Sequence, residues 1–483
     1  MTATTTAPTE LFLAGRWTSG GAGTLETLNP STGETLAEVA SASADDVDTA
    51  VLAATAALRG DWSAVPPSQK GHFLAKLADL VERDAELLAR LEALEIGVPY
   101  GFASALFVPN LIGSLRYYAG WADKVNGELV VNDGYFGTPT HAYTRREPVG
   151  VIAAIVPWNA PLMILGWKLA PALATGNTVI VKPAEDASLA ILHLGKLIEE
   201  AGFPAGTVQI LPGAGGVVGE ALAVHPGVHK VSFTGSTATG RRILRNSAGN
   251  FKRTTLELGG KSPQIVFEDA DLDSAVRGAA MGLFSNQGQV CAAGTRVLVH
   301  RSIRDAVLDG LKAAAEAQVL GDPFDPAATM GPLVNRAQRD KVLGYVEKGK
   351  AEGAQLVTGG AAPDGPGFFV APAVFAGTNE QTIAREEIFG PVGTVIPFED
   401  EDEAIALAND SEYGLAATVW TKDLRRAHTV SAALQAGAVG VNGWSPLGPQ
   451  LPWGGVKASG VGRELGYEGI LANTETKTVT IVL

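Results

Sequence analysis

Apolar positions along the chain fall into two kinds of run. From about residue 45 to 125 they recur at three- and four-residue intervals, the period of an amphipathic helix. The stretch HFLAKLADLVERDAELLARLEALEIG (72–97) carries this period throughout, with charges on the opposite face, and Gly97 and Pro99 end it. Asp45 and Asp46 open an earlier helix, because a capping side chain and negative charge both favour a helix N-terminus. From residue 149 onward short unbroken apolar runs take over. Residues 149–156, 177–182, 208–211 and 230–234 read as strands, and helical patterns follow near Pro161, over 188–201, over 217–224 and from Thr239. Alternating strands and helices predict a parallel sheet, whose strands are apolar on both faces. A second alternating block spans about 255–421. It has strand-like pieces at 264–267, 296–300, 392–397 and 416–421, and helix-like pieces at 272–284, 302–319 and 335–352. Two such blocks predict two domains with a ligand cleft between them. Residues 128–145 and 476–483 read as strands at an exposed edge. Free edges tend to be covered, so pairing with another subunit is expected.

One uncharged run, VGVIAAIVPWNAPLMILGW (149–167), reaches membrane-spanning length. Pro157, Asn159 and Pro161 interrupt it and Lys168 follows at once, so a strand, a polar turn and a helix are expected instead of a span. The 483 residues carry 37 Lys and Arg against 51 Asp and Glu, a net charge of −14, with no basic run of the kind a nucleic-acid binder displays. The length suggests about three domains, and 58 Gly with 27 Pro suits a turn-rich α/β enzyme. The single cysteine, Cys291, excludes an intrachain disulfide and a cysteine metal cluster. Residues 1–10 lack the pattern of a secretory leader, and the expected location is the reducing cytoplasm. His225 and His229 have metal-like spacing, but Pro226 and Gly227 break a helix between them, so no metal is expected.

Several short segments carry candidate chemistry. Cys291 sits in SNQGQVCAAGTR, where Gly288, Ala292, Ala293 and Gly294 keep bulk low. A lone cysteine is usually a small buried hydrophobe. In this setting it is also a candidate nucleophile, provided its pKa is lowered or a base stands near. No histidine has a comparably Gly-rich setting, which disfavours a Cys-His pair. Glu257, in TLELGGKSP, reads either as a salt-bridged strand residue or as a general base, since a buried carboxylate is costly without a role. The GGKS there resembles the end of a phosphate-binding loop, but Thr255 stands where that motif needs glycine. Pro157-Trp158-Asn159 ends an apolar strand, the place where parallel sheets bind ligands. Asn159 either aims its amide at an oxyanion or makes a plain turn. In VKPAE (181–185), Lys182 suits ribose or phosphate. Glu185 suits an adenosine ribose and repels a 2′-phosphate, favouring NAD over NADP, unless the two merely form a surface ion pair. FTGSTATG (233–240) reads as strand, turn and helix start, a place for a pyrophosphate. Neither it nor GAGGVVG (213–219) matches the usual dinucleotide fingerprint. EEIFGPV (386–392) places Glu387 and Phe389 after a helix-like turn, suited to a nicotinamide ribose and ring.

The ordered set PWN, KPAE, FTGS, LELGGK, GQxC, EEIFGPV and PWGGVKASGVGRELG (452–466) resembles the aldehyde dehydrogenase superfamily, from about Leu11 to the C-terminus. The resemblance implies an α/β fold with two parallel Rossmann-like domains and a small β oligomerisation element. It implies an NAD-binding domain at 1–124 and 148–256, a catalytic domain at 257–470, and a bridging element at 125–147 and 471–483. Homodimers or homotetramers are the implied assembly. By the same resemblance Cys291 attacks an aldehyde, with the oxyanion held by Asn159 and the Cys291 N–H. Hydride leaves to NAD, and Glu257 activates the water that hydrolyses the thioester. Lys168 and Glu464 match a proton relay. Cofactor contacts are implied at Val156, Pro157, Trp158, Lys182, Pro183, Glu185, Gly215, Phe233, Gly235, Ser236, Leu258, Glu387 and Phe389. The presence of Glu257 argues against the CoA-acylating branch.

The implied substrate tunnel comprises Ala160, Met163, Ile164, Trp167, Ser285, Val290, Trp444 and Trp453. Trp167 and Trp453 resemble part of the aromatic box of betaine- and amino-aldehyde dehydrogenases. Ala160 and Ser285 leave that box incomplete, and no arginine lies among these positions to hold a carboxylate. The expected substrate is a bulky apolar or aromatic aldehyde, with a betaine- or amino-aldehyde as the alternative. A thioester hydrolase or acyltransferase without redox chemistry, and a non-catalytic protein, are the rivals of different class.

Overall fold

The computed structural model describes residues 7–444 and 448–483. Two large sheets dominate, one of eight strands and one of seven, beside a three-stranded sheet and a two-stranded hairpin. In the first large sheet five strands are mutually parallel. Their spatial order is Arg253–Glu257, Lys230–Thr234, Val151–Ile155, Thr178–Lys182 and Val208–Ile210. From Val151–Ile155 the next two strands are added on one side and the following two on the other. The order therefore reverses between Val151–Ile155 and Lys230–Thr234, which opens a crevice at their carboxyl ends. The strand Val151–Ile155 is buried on both faces, Ile152 and Ala154 packing one way and Val151, Ala153 and Ile155 the other. The second large sheet has Arg296–His300 at its centre, and beside it Pro263–Val266 runs parallel both to that strand and to Ala416–Trp420.

The long apolar run resolves as expected into the strand Val151–Ile155 and the helix Pro161–Ala174, which is buried at every position. Among the described residues no helix is long and apolar enough to cross a membrane. The strands Lys230–Thr234 and Arg296–His300 and the helix Leu272–Phe284 fall where the periodicity places them.

Other expectations are corrected. The helical pattern over 72–97 breaks at Asp84 into the helices Pro67–Arg83 and Ala85–Ile96. Asp84 leaves helical geometry at φ −98° and ψ 14°, and its carboxylate lies 2.8 Å from the buried His193 ring on a neighbouring helix. That contact is invisible to periodicity. The strand Arg253–Glu257 pairs with the first large sheet, so the second block begins only at Pro263. The helix expected near 217–224 is present, but it begins at Gly215 and its first part, Gly215–Gly219, is wound as a wider π-helical turn before Glu220–Val224. The strand Thr140–Pro148 is covered within the chain, by the antiparallel Thr474–Val482 on one side and Leu129–Val130 on the other. The N-terminal pair Leu11–Leu13 and Arg16–Thr18 was not expected. It turns through Ala14 and Gly15, both at positive φ.

Candidate active site

Two cavities meet at the crevice of the first large sheet. One, of about 290 Å³, is lined by Val156, Pro157, Lys182, Glu185, Gly215, Phe233 and Gly235 among others. Lys182 is the last residue of its strand. Its ammonium donates to the Pro183 carbonyl at 2.8 Å and to Glu185 at 3.0 Å. Pro183 lines neither cavity; it serves as that acceptor. The other Glu185 oxygen accepts from the Gly215 N–H at 2.6 Å. Burial works to raise the Glu185 pKa, but Lys182 and that N–H outweigh it and hold the carboxylate below its ordinary value. Burial lowers the Lys182 pKa against the opposing pull of Glu185. Ser236 caps the helix Thr237–Ser247 by accepting from the Thr239 N–H at 3.2 Å. A Cβ at Gly235 would meet the Phe233 ring at 2.5 Å, so the strand-to-helix turn has no room for a side chain.

The second cavity, of about 200 Å³, shares Pro157, Thr234 and Gly235 with the first. Trp158, Asn159, Ser236, Glu257, Leu258, Cys291, Glu387 and Phe389 add to its wall. Cys291 is half-buried and follows a loop in which Asn286 and Gln287 both adopt left-handed backbone, at φ 48° and 56°. Such a pair costs on the order of 1–3 kcal/mol per residue unless its surroundings enforce it. Here they do. Asn286 donates to the Asn159 carbonyl at 2.8 Å, and the Asn159 amide donates to the Gln289 carbonyl at 2.9 Å. Gln287 donates to the carbonyls of Gly97 and Pro332.

The two glycines of LELGGK are explained by close approach rather than by phosphate binding. A Cβ at Gly259 would stand 2.3 Å from the Glu387 carboxylate, and one at Gly260 would stand 2.4 Å from the Cys291 carbonyl. Glu387 accepts from the Gly260 N–H at 3.2 Å. Burial raises its pKa, and that N–H, Lys341 and Lys261 oppose the rise.

Glu257 ends its strand, is 3% exposed, and has no hydrogen-bond partner on either carboxylate oxygen. Burial, and then the charge of Glu464, push its carboxyl well above the usual range. Burial also pushes the Cys291 thiol up to about 12, helped by the negative charges of Glu257 and Glu387. Deeper in, Lys168 and Glu464 form a buried pair at 2.6 Å, and Ser232 donates to the same Glu464 oxygen at 2.8 Å.

The expected tunnel residues are only partly brought together. Ala160, Met163, Ile164 and Trp167 lie on or before one buried helix, and the Trp167 and Trp453 rings stand 6.3 Å apart. Trp444 donates to the Ala292 carbonyl at 3.3 Å, and Val290 is partly exposed. Ser285 lines a different cavity, of about 360 Å³, with Phe102, Met281 and Phe284. His225 faces Asp48, whereas the His229 ring accepts from the Val151 N–H, so the two histidines serve separate contacts. Three residues of the site had no sequence signal. Gln338 and Lys341 line the Cys291 cavity from the helix Arg336–Ala351, whose polar face reads as solvated. Gln338 donates to the carbonyl of Phe389, itself at φ 59°, and the Phe389 ring packs edge-on against Trp158 at 5.2 Å. Asn110 accepts from the Trp167 indole at 2.7 Å.

The aldehyde dehydrogenase family model matches residues 17–479. The human protein named "Aldehyde dehydrogenase, mitochondrial" is 50% identical over 463 residues, covering 95% of this chain and 89% of that protein. Retinal dehydrogenase 2 of Gallus gallus is 47% identical over 479 residues, covering 98% and 92%. The solved NAD+ complex of an aldehyde dehydrogenase from Bacillus cereus superimposes with a TM-score of 0.97 at 44% identity, covering 100% of this chain and 98% of that one. The chain belongs to the aldehyde dehydrogenase family and is an aldehyde-oxidising enzyme.

Proposed function

We propose that this member of the aldehyde dehydrogenase family oxidises an aldehyde to the carboxylic acid with NAD, through a thiohemiacetal and then a thioester on Cys291. The observation that carries the reading is one pocket holding Cys291, Asn159 and a Glu257 with both carboxylate oxygens free. The larger cavity fits a dinucleotide by its donor set. It has an acceptor for ribose hydroxyls in Glu185, a cation in Lys182, and a capped helix start beyond a turn too tight for a Cβ. Glu185 would repel a 2′-phosphate, which favours NAD over NADP. Glu387, Phe389, Trp158 and Leu258 would hold the nicotinamide end. Bound NAD supplies the hydride acceptor and a positive ring that offsets the negative surroundings of Cys291.

The residues then have distinct tasks. Cys291, only partly buried, gives its proton to solvent water and attacks the carbonyl carbon as the thiolate, and the Asn159 amide and the Cys291 N–H receive the developing oxyanion. The Asn159 amide now donates to the Gln289 carbonyl, so its two hydrogens allow one to be kept and one to face the oxyanion. Glu257, desolvated and unpartnered, takes a proton from the water that opens the thioester. The buried Lys168, Ser232 and Glu464 set carries that proton onward. Release to water makes this a hydrolytic and not a CoA-acylating enzyme.

The same reading divides the chain into an NAD-binding domain (1–124 and 148–256), a catalytic domain (257–470) and a bridging element (125–147 and 471–483). The open outer edge of Thr474–Val482 supports a homo-oligomer. For the substrate we favour a bulky apolar or aromatic aldehyde. The small, apolar Ala160 and the buried Trp167 and Trp453 rings, 6.3 Å apart, favour an apolar substrate without completing a cation box. The test is NADH absorbance with NAD or NADP and a panel of benzaldehyde, betaine aldehyde and succinic semialdehyde, with Cys291→Ala alongside. The expected result is an NAD-dependent signal, absent in the variant and highest in kcat/KM for benzaldehyde. Preference for either charged aldehyde overturns the substrate class, and no NADH from any aldehyde overturns the redox mechanism.

A further inference from the structure

The helix Ala85–Ile96 lines neither cavity, yet its C-terminal end and its Gly97 cap hydrogen-bond to two helix starts and one loop that adjoin them. Glu92 accepts from the Leu162 N–H at 3.0 Å, in the first turn of the helix Pro161–Ala174 and three residues beyond Asn159. Glu95 accepts from the Leu189 N–H at 2.6 Å with one oxygen and from the Ala190 N–H at 3.0 Å with the other. Those two residues begin the helix Leu189–Ala201, which follows the Lys182–Glu185 loop. The Gly97 carbonyl accepts from Gln287 at 2.7 Å, in the loop that presents Cys291. Gly97 itself is left-handed, at φ 72°, and packs so tightly on Pro332 that a Cβ there would stand 2.7 Å away.

Neither recipient helix has a capping side chain of its own. Their first N–H groups need acceptors, and the carboxylates of another helix supply them. Both carboxylates are wholly buried and neither faces a cation. Burial pushes Glu92 up to about 8 and Glu95 up to about 7. A helix interior could cover this surface with leucine at no such cost. The helix termini they meet offset part of that cost, since oxygen acceptors are favoured there.

We propose that Glu92 and Glu95 are positioning residues that set the two halves of the site separately, Glu92 the Asn159 loop and Glu95 the Lys182–Glu185 loop. The Gln287 contact with Gly97 refers the nucleophile loop to the same helical turn. The inference rests on the roles given above to Asn159, Lys182 and Glu185. Glu92 uses one oxygen, so glutamine can replace it. Glu95 uses both, so a glutamine amide would turn an N–H toward the Ala190 N–H and satisfy only one donor.

The experiment measures the NADH burst rate at saturating NAD and the NAD Kd for Glu92→Ala, Glu92→Gln, Glu95→Ala and Glu95→Gln. Displacement of a loop by about 1 Å can cost on the order of 10²-fold in rate. Glu92→Ala is expected to slow the burst at least about tenfold with Kd within about twofold of wild type, and Glu92→Gln to restore it. Glu95→Ala is expected to raise Kd at least about fivefold with the burst rate held, and Glu95→Gln to fall between. Both constants moving together in either alanine variant, or neither moving, overturns the proposal. If the alanine variants do not fold, Glu95→Gln decides alone: an unchanged Kd overturns it. A wild type that forms no NADH from any aldehyde, or Asn159→Ala with a normal rate of NADH formation, defeats the functional reading instead.

Discussion

The two ends of the trough are built in opposite ways. At the Lys182 end Lys182, Glu185 and the Gly215 N–H satisfy one another, and Arg242 pairs with Glu220 at 2.7 Å. At the Cys291 end Glu257 has no partner on either oxygen, and burial, helped by nearby acidic groups, keeps the thiol protonated. A paired group is pre-set to recognise, because its geometry is fixed before a ligand arrives. A desolvated, unpaired carboxylate is a stronger base, because protonation relieves its burial. The contrast recurs within one residue type. Glu464, with Lys168 and Ser232 on one oxygen, is anchored, whereas Glu257 nearby is free to react.

The contrast can be broken most decisively at Glu257. Glu257→Gln should cut steady-state turnover by about 10²–10⁴-fold while an NADH burst remains, because thioester formation does not need the base. In wild type, turnover limited by hydrolysis should climb with pH above the usual carboxylate range, since the raised pKa keeps Glu257 neutral at lower pH. That climb should vanish in the variant. A lost burst with Cys291 still reactive would show that the two carboxylates do not differ as argued.

A second test reads the thiol directly. With no cofactor present, alkylation of Cys291 by iodoacetamide should rise about tenfold per pH unit between pH 7 and 9, because the thiolate fraction keeps growing below a pKa of about 12. Glu257→Gln should speed it at pH values where Glu257 is ionised, by removing a negative neighbour. A rate already level near pH 8 would mean the thiol is not suppressed.

The smallest effect belongs to the paired end. Lys182→Ala should raise the NAD KM by about tenfold, roughly one charge-assisted contact, with kcat within about twofold. A large loss of kcat there would erase the distinction between a recognition end and a reaction end.

Most individual elements were legible from periodicity, because burial of an apolar face imposes its period on the chain. The strand Lys230–Thr234 and the helix Leu272–Phe284 are examples. The break at Asp84 was not legible, since it answers to His193 more than a hundred positions away. Nor were Gln338, Lys341 and Asn110, which look like ordinary helix-surface polar residues until the fold turns them inward. Ser285, grouped with the tunnel by resemblance, lies in another cavity wall, a matter of which way a helix end faces.

What the sequence determined by itself was local and chemical. It supplied the alternation that makes two α/β sheets, one cysteine in a small-residue loop, a glutamate before two glycines, and an ordered set of motifs belonging to one family. Only the tertiary structure decided that Gly259 and Gly260 are small because Glu387 and the Cys291 carbonyl press on them, and that Glu257 is left unpaired. It alone decided that Glu92 and Glu95 cap helices far along the chain. The reason is that hydrogen-bond satisfaction and desolvation depend on what surrounds an atom in space. Those surroundings come from segments up to some 300 residues apart, which no local pattern records.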